Sequence, residues 1–263
     1  MLTYPDIDPV ALAIGPVKVH WYGLMYVVGF IAGWWLARRR AAKPHSTWQP
    51  VDVDDVIFFA AVGVIAGGRL GWILVYGFDA LRADPLAIVR VWEGGMSFHG
   101  GLIGVMVAVA LFAWRRGRRV ADVFDFMAPL PAIGLFAGRI GNFINGELWG
   151  KPTELPWGML VNGEVLHPSQ LYEAALEGML LFAILWWFMS KPRPRLAPAG
   201  LFLTLYAAFR MGVEFVRVPD EHIGYLAFGW LTMGQLLSLP VLAAGIAMLA
   251  RAYARREPSG NYA

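Results

Sequence analysis

Gly138-Arg139-Ile140-Gly141-Asn142-Phe143-Ile144-Asn145-Gly146-Glu147-Leu148-Trp149-Gly150 closes an apolar run that begins near residue 122. It places an arginine at the end of an apolar helix and follows it with a polar, glycine-broken turn. Lipid offers such a charge no hydration, so an ionisable residue there marks a site where a partner or ligand offsets the cost. The surrounding composition puts this stretch in a membrane. Of 263 residues, 58% are hydrophobic and only 16% charged, with a mean hydropathy of +0.53, outside the usual range of soluble domains. No low-complexity linker divides the chain, which reads as a single integral-membrane domain over 1–263.

Apolar runs long enough to cross a bilayer occur at about 20–37, 56–76, 98–114, 122–140, 174–189, 200–216 and 231–250. They predict an all-α polytopic membrane protein of seven transmembrane helices. Orientation follows from the basic residues between them. Alternate connections, following the first, third, fifth and seventh runs, hold fourteen of the 22 Lys and Arg, and the opposite set holds five: Lys18, Arg82, Arg90, Lys151 and Arg217. The positive-inside rule therefore predicts an outer N-terminus and a cytoplasmic C-terminus. The net charge of +3 sits in these short blocks rather than on one face, which fits a membrane surface and not nucleic acid. The first eighteen residues have no basic start and no apolar core, so they do not read as a cleavable signal peptide. With no cysteine, the chain has neither disulfides, thiolate metal sites nor a cysteine nucleophile of its own.

Three basic residues, Arg69, Arg139 and Arg210, lie inside the apolar runs. Each falls one to two turns from the predicted outer end of its helix, roughly 2 to 11 Å at 1.5 Å per residue. His99 and Tyr22 open their runs from the same side, so five polar groups from five helices share the outer leaflet. Tyr206, Arg210 and Glu214 recur at i, i+4 and i+8 on one helical face. In one reading Glu214 only neutralises Arg210 and Arg217. In the other it holds Arg210 so that the guanidinium fork meets a phosphate. The run Gly94-Gly95-Met96-Ser97-Phe98-His99-Gly100-Gly101-Leu102-Ile103-Gly104 brackets one histidine with five glycines. Small residues permit close approach of a backbone or a lipid. The histidine is either a hydrogen-bonded structural group or a base, and an imidazole is well matched to proton transfer at neutral pH.

The one long connection, about 141–173, carries Asn162-Gly163 between two short apolar runs, a hairpin signal, and predicts a small head capping the outer mouth. Asn142 and Glu147 lie at its start, and His167-Pro168-Ser169-Gln170-Leu171-Tyr172-Glu173 leads out of it. These groups either cap turns and helix ends or reach a ligand. Asp122 and Asp125, at the cytoplasmic start of the fourth run, read as structural complements of a helix dipole.

Residues 138–150, His99-Gly100-Gly101-Leu102-Ile103-Gly104, His20-Trp21-Tyr22-Gly23 and the Tyr206/Arg210/Glu214 stripe together closely resemble the bacterial prolipoprotein diacylglyceryl transferases. The likeness spans all seven runs, and the thirteen-residue segment resembles the family's signature motif; the match around His167 and Gln170 is less specific. The resemblance implies transfer of a diacylglyceryl group from phosphatidylglycerol to the lipobox cysteine thiol of a preprolipoprotein. Glycerol phosphate is released, at the periplasmic face of the bacterial inner membrane. It implies catalytic roles for His99, Arg139 and Arg210, with His99 as base and Glu147 or the phosphate itself as alternative proton acceptors. Phosphatidylglycerol would be bound by Arg139, Arg210, Tyr22, Asn142, Glu147, Tyr206, Glu214 and Arg69. Gly100, Gly101, Gly104, Gly138, Gly141, Gly146 and Gly150 would be structural. No metal and no cofactor are expected, and a monomer embedded in membrane lipids, with no nucleic-acid partner, is the expected state. Two rivals use the same arginines differently. A lipid transporter or flippase would place polar groups at the midplane or on both sides, often with an internal repeat, and neither pattern is present. A structural membrane subunit would use its buried charges on partner helices and has no need of a glycine-bracketed histidine.

Overall fold

The computed structural model describes residues 2–5, 7–15, 17–219 and 224–262. A helix occupies each of the seven apolar runs. Trp21–Ala41 ends on Arg38, Arg39 and Arg40, whose charge suits a helix C-terminus. Pro50–Val75 starts one and a half turns before the apolar run because Pro50 suits a first turn and Asp52 reaches back to the backbone N–H of Gln49, 3.0 Å away. Ser97 caps Phe98–Arg115 by accepting from the Gly100 N–H at 3.2 Å. Thr232 and Gln235 form a reciprocal capping box at the start of Met233–Arg255.

Among the described residues four helices, Pro50–Val75, Phe98–Arg115, Ser169–Phe188 and Met233–Arg255, are long and apolar enough to cross a membrane. The bent pair Val120–Met127 and Leu130–Ile144 makes a fifth span if taken as one. Large apolar side chains stand outward along them, Phe58, Leu74, Val107 and Trp187 among them, as a lipid-facing surface requires. The chain is a polytopic, predominantly helical membrane protein.

Three local expectations change. The fourth run is broken by 44° rather than continuous, at Ala128 and Pro129, where Pro129 and Pro131 remove backbone donors and restrict the residues before them. Its second half continues to Ile144, five residues past Arg139, so Asn142 lies on the helix one turn after the arginine and not in the turn. The Tyr4 hydroxyl lets the helix finish there, donating to the carbonyls of Phe143 and Ile144 at 2.9 and 3.0 Å. The all-α expectation also gains five short strands among the described residues. Val10–Ile14 and Val17–His20 pair antiparallel around Gly15, whose φ of +58° makes the turn. Met159–Val161 and Glu164–Leu166 form the expected hairpin, with Asn162 and Gly163 both at positive φ, and Leu2–Thr3 adds a parallel third strand.

The chain packs as two compact units, Met1–Trp35 with Asp125–Ser259, and Leu36–Phe124 with Gly260–Ala263. In the first, Leu181 and Leu185 meet Ala132, Phe202, Leu205 and Tyr206 in an apolar core. Asp125, fully buried, accepts from the N–H groups of Leu196 and Ala199 and so caps Ala197–Glu214 rather than its own helix. In the second unit, Pro50–Val75 and Phe98–Arg115 cross backbone to backbone through Gly63, Gly67, Gly71, Gly100 and Gly104. A Cβ added to Gly63 would lie 2.6 Å from the Gly104 carbonyl oxygen and 2.7 Å from Ala108. Overpacking of this kind costs about 1–3 kcal/mol, while alanine's helix propensity returns at most about 1 kcal/mol. Gly63→Ala should therefore lower the thermal unfolding midpoint in detergent. Gly33→Ala, with nothing within 4 Å, should leave it unchanged, and equal midpoints would contradict the backbone contact.

Candidate functional site

Glu173 closes the first helical segment of the span Ser169–Phe188 and is wholly buried. A carboxylate in that position needs cations, and three guanidinium groups supply them. Its Oε2 lies 3.2 Å from Nε of Arg139, and its Oε1 lies 2.9 Å from Nη1 of Arg217 and also accepts from Arg210. Arg210 Nη2 and Arg217 Nε turn their other edges to Glu214, at 3.0 and 3.4 Å. Thr232 fixes Glu214 from the next helix, donating its hydroxyl to Oε1 at 3.0 Å. The stripe anticipated at Tyr206, Arg210 and Glu214 is thus an ion pair on one face, with Tyr206 stacked on Phe202 one turn earlier. Glu214 does pair with Arg210 and Arg217, and Glu173 adds what the stripe alone lacks, a link to Arg139.

A second arm runs from Arg139 toward the turn. Arg139 Nη1 approaches Asn142 Oδ1 at 3.4 Å, Asn142 donates to Glu147 Oε1 at 2.7 Å, and Asn145 donates to the same oxygen at 3.4 Å. Two buried residues then hold the backbone of this turn. Gln170 donates to the Glu147 carbonyl at 2.8 Å and Ser169 to that of Leu148 at 2.7 Å. Tyr22 joins from Trp21–Ala41, its hydroxyl 2.9 Å from that of Tyr26. Its ring lies so near Gly141 that an added Cβ there would be 3.0 Å from Cδ2.

Glycine is needed at two points of the motif. Gly146 takes φ +69° at the turn. Gly150 has no room for a side chain, because a Cβ would lie 2.8 Å from that of His167 and against the Val216 carbonyl. There the backbone is stitched on both sides: Gly150 N–H donates to His167 at 2.8 Å and Lys151 N–H to Val216 at 2.8 Å, next to Arg217. Gly138 meets nothing within 4 Å, so nothing in the structure explains its presence. His167 itself lies in the head with Nδ1 3.2 Å from the Tyr172 hydroxyl. Burial, with Lys151 nearby, holds its pKa below the ordinary histidine value, so it adds no charge to the arginine cluster at neutral pH.

His99 and Arg69 belong to the second unit. His99 is exposed at the start of Phe98–Arg115, beside the Phe98 ring. Gly100 and Gly104 serve the helix crossing, and Gly101 faces Val64. Arg69, expected to meet lipid, is 4% exposed and already engaged. It donates to the carbonyls of Ala87, Gly94 and Gly95 and lies 5.1 Å over the Trp72 ring. Gly94 and Gly95 both sit at positive φ, which glycine adopts freely, and this arginine fixes the pair that leads into Ser97 and His99.

The cluster of three arginines and buried carboxylates beside the 138–150 turn includes Arg139, Arg210 and Glu214, three of the residues on which the resemblance noted in the sequence rests. A sequence model of prolipoprotein diacylglyceryl transferase matches residues 9–251. The chain belongs to the prolipoprotein diacylglyceryl transferase family. A phosphatidylglycerol–prolipoprotein diacylglyceryl transferase of Methylococcus capsulatus is 59% identical over 261 residues, covering 98% of this chain and all of the relative. Proteins described in the same words from Ectopseudomonas mendocina and Pseudomonas aeruginosa are 57% and 58% identical. They cover 99% and 97% of this chain, and the same shares of the relatives.

Within this diacylglyceryl transferase family member, sequence reasoning passed over Glu173 and Glu177 as site residues, and it paired Arg217 with Glu214 but not with Glu173. Glu173 was read only as part of a helix start. Glu177 lies inside the 174–189 run, where the rule that singled out the arginines would have singled it out too. Breaking a buried ion pair by removing one partner typically costs about 3–5 kcal/mol. Glu173→Gln should therefore lower thermal stability by a comparable amount and abolish transfer. A variant with wild-type stability would contradict the three-arginine role of this carboxylate.

Proposed function

We propose that this chain transfers the diacylglyceryl group of phosphatidylglycerol to the cysteine thiol of a prolipoprotein, with the arginine cluster as its phosphate site. The observation that carries the reading is the set of three guanidinium groups held by Glu173 and Glu214 beside the family motif. Two paired carboxylates against three guanidinium charges favour an anionic headgroup, and preorganised donors are worth most where charge develops in a water-poor site.

The reaction displaces phosphate at the terminal glyceryl carbon. The cysteine sulfur forms a bond to that carbon as the carbon–oxygen bond to phosphorus breaks, and the electron pair leaves on the phosphate oxygen as glycerol phosphate. A thiol of pKa about 8.5 must lose its proton first. His99 takes it in this mechanism, and Arg139 and Arg210 stabilise the charge gathering on the leaving phosphomonoester. Asn142 and Glu147 hold Arg139 in register, Glu214 does so for Arg210, and Tyr22 and Tyr206 line the lipid headgroup. Arg69 serves the site through the glycine loop it fixes ahead of His99. No step requires a metal or cofactor.

Incubation of the purified protein with phosphatidylglycerol and a lipobox peptide should yield a thioether-linked diacylglyceryl adduct by mass spectrometry. Arg139→Lys and Arg210→Lys keep the charge but lose the fork, and each should reduce kcat by about 10²–10³-fold. Full activity would contradict phosphate capture by these forks. His99→Gln should remove the acidic limb of the kcat profile, and near-normal turnover would sink its role as base.

The topology that serves this chemistry has seven spans in one transferase domain, an outer N-terminus, a cytoplasmic C-terminus and a head at 141–173. It is a monomer in the bacterial inner membrane with its site toward the periplasm. The distribution of basic residues supports it. Because the chain has no cysteine, single cysteines report orientation cleanly. Asn162→Cys should react with an impermeant maleimide in spheroplasts and Arg255→Cys only after lysis; the reverse pattern would invert the topology.

A further inference from the structure

The buried acid Glu177 lies beside the arginine cluster and belongs to none of the ion pairs described above. Glu177 is fully buried one turn beyond Glu173, and neither of its carboxyl oxygens has a hydrogen-bond partner among the described residues. It sits in the middle of Ala174–Leu180, a π-helical segment within the span Ser169–Phe188. Such segments are rare and concentrate at functional positions. Charged and titratable groups face it from every side of the cluster. They are Glu173 on its own helix, Arg139 on Leu130–Ile144, Tyr206 and Arg210 on Ala197–Glu214, and Arg217 just beyond.

The charge of the cluster turns on this one group. Arg139, Arg210 and Arg217 carry three positive charges, and the ion-paired Glu173 and Glu214 carry two negative ones. Among these groups a neutral Glu177 leaves one positive charge and an ionised Glu177 cancels it; Glu147, on the arm beyond Asn142, is exposed and bonded to Asn142 and Asn145 instead. A carboxylate without hydrogen bonds inside an apolar helix is expensive, whereas the protonated acid loses far less on burial.

We propose that Glu177 sets the charge of the arginine site. As a neutral acid it leaves the single positive charge that complements one phosphodiester anion, and its ionisation withdraws that charge and weakens lipid binding. The inference rests on the reading of the cluster as the phosphatidylglycerol headgroup site. By linkage, binding of the anionic lipid must in turn favour the protonated form of Glu177.

The test is equilibrium binding of short-chain phosphatidylglycerol to the full-length protein in phosphatidylcholine nanodiscs, without peptide, from pH 6 to pH 9. The wild-type Kd should rise on the order of tenfold across this range. E177Q and E177L, both permanently neutral, should bind tightly with a flat profile, and either alone suffices if the other fails to fold. A flat wild-type profile, or a step that persists in a folded neutral variant, would overturn the role of Glu177 and leave the headgroup site standing. Failure of phosphatidylglycerol to bind at any pH would overturn both.

Discussion

A carboxylate buried in an apolar helix cannot stand alone, and the construction of this site follows from how Glu173 is satisfied. Its two oxygens meet guanidinium groups from Leu130–Ile144, from Ala197–Glu214 and from the chain just beyond it. Loss of any one partner strands charge where neither water nor lipid can solvate it, so the three segments are fixed to a common point. Glu214 repeats the device at the other edge of Arg210 and Arg217 and is itself tied to Thr232. Three like charges that would repel one another are thereby held together within one ion-paired assembly.

Preorganisation of this kind distinguishes the cluster from a set of snorkelling arginines. Every guanidinium has at least one carboxylate partner before any lipid arrives, so its orientation is set by the fold rather than by the ligand. The Asn142–Glu147 arm extends the same control to the flank of Arg139, and Gln170 and Ser169 hold the turn carrying Glu147 through its backbone. For the phosphate site proposed above, such a cluster leaves little reorganisation to drive, which is the condition under which fixed donors lower a barrier most.

Much of this was legible in the sequence because the bilayer imposes a simple grammar. Seven apolar runs became seven helical regions, and Asn162-Gly163 made the hairpin its turn chemistry demands. Arg139 and Arg210 stood out because charge inside an apolar run has to be explained. What stayed hidden depends on contacts between residues far apart in the chain. Glu173 lies 37 positions from Arg210 and 44 from Arg217, and no local spacing announces either pairing. Helix limits were misjudged where capping overrode composition, as at Pro50 and at Ile144, where the carbonyls are met by a tyrosine 139 and 140 positions away. The short strands near the N-terminus were missed because a hydropathy scan does not register runs of four or five residues.

The seam at Gly150 has a mechanical consequence. Two backbone hydrogen bonds and a glycine with no room for a methyl group lock the start of the head against the chain around Val216, one residue from Arg217. The head cannot swing outward along this edge as a lid without dragging a guanidinium away from Glu173. Opening this border would pull on Arg217, the next residue along the chain, and on its ion pairs with Glu173 and Glu214. This border is a weld and not a hinge.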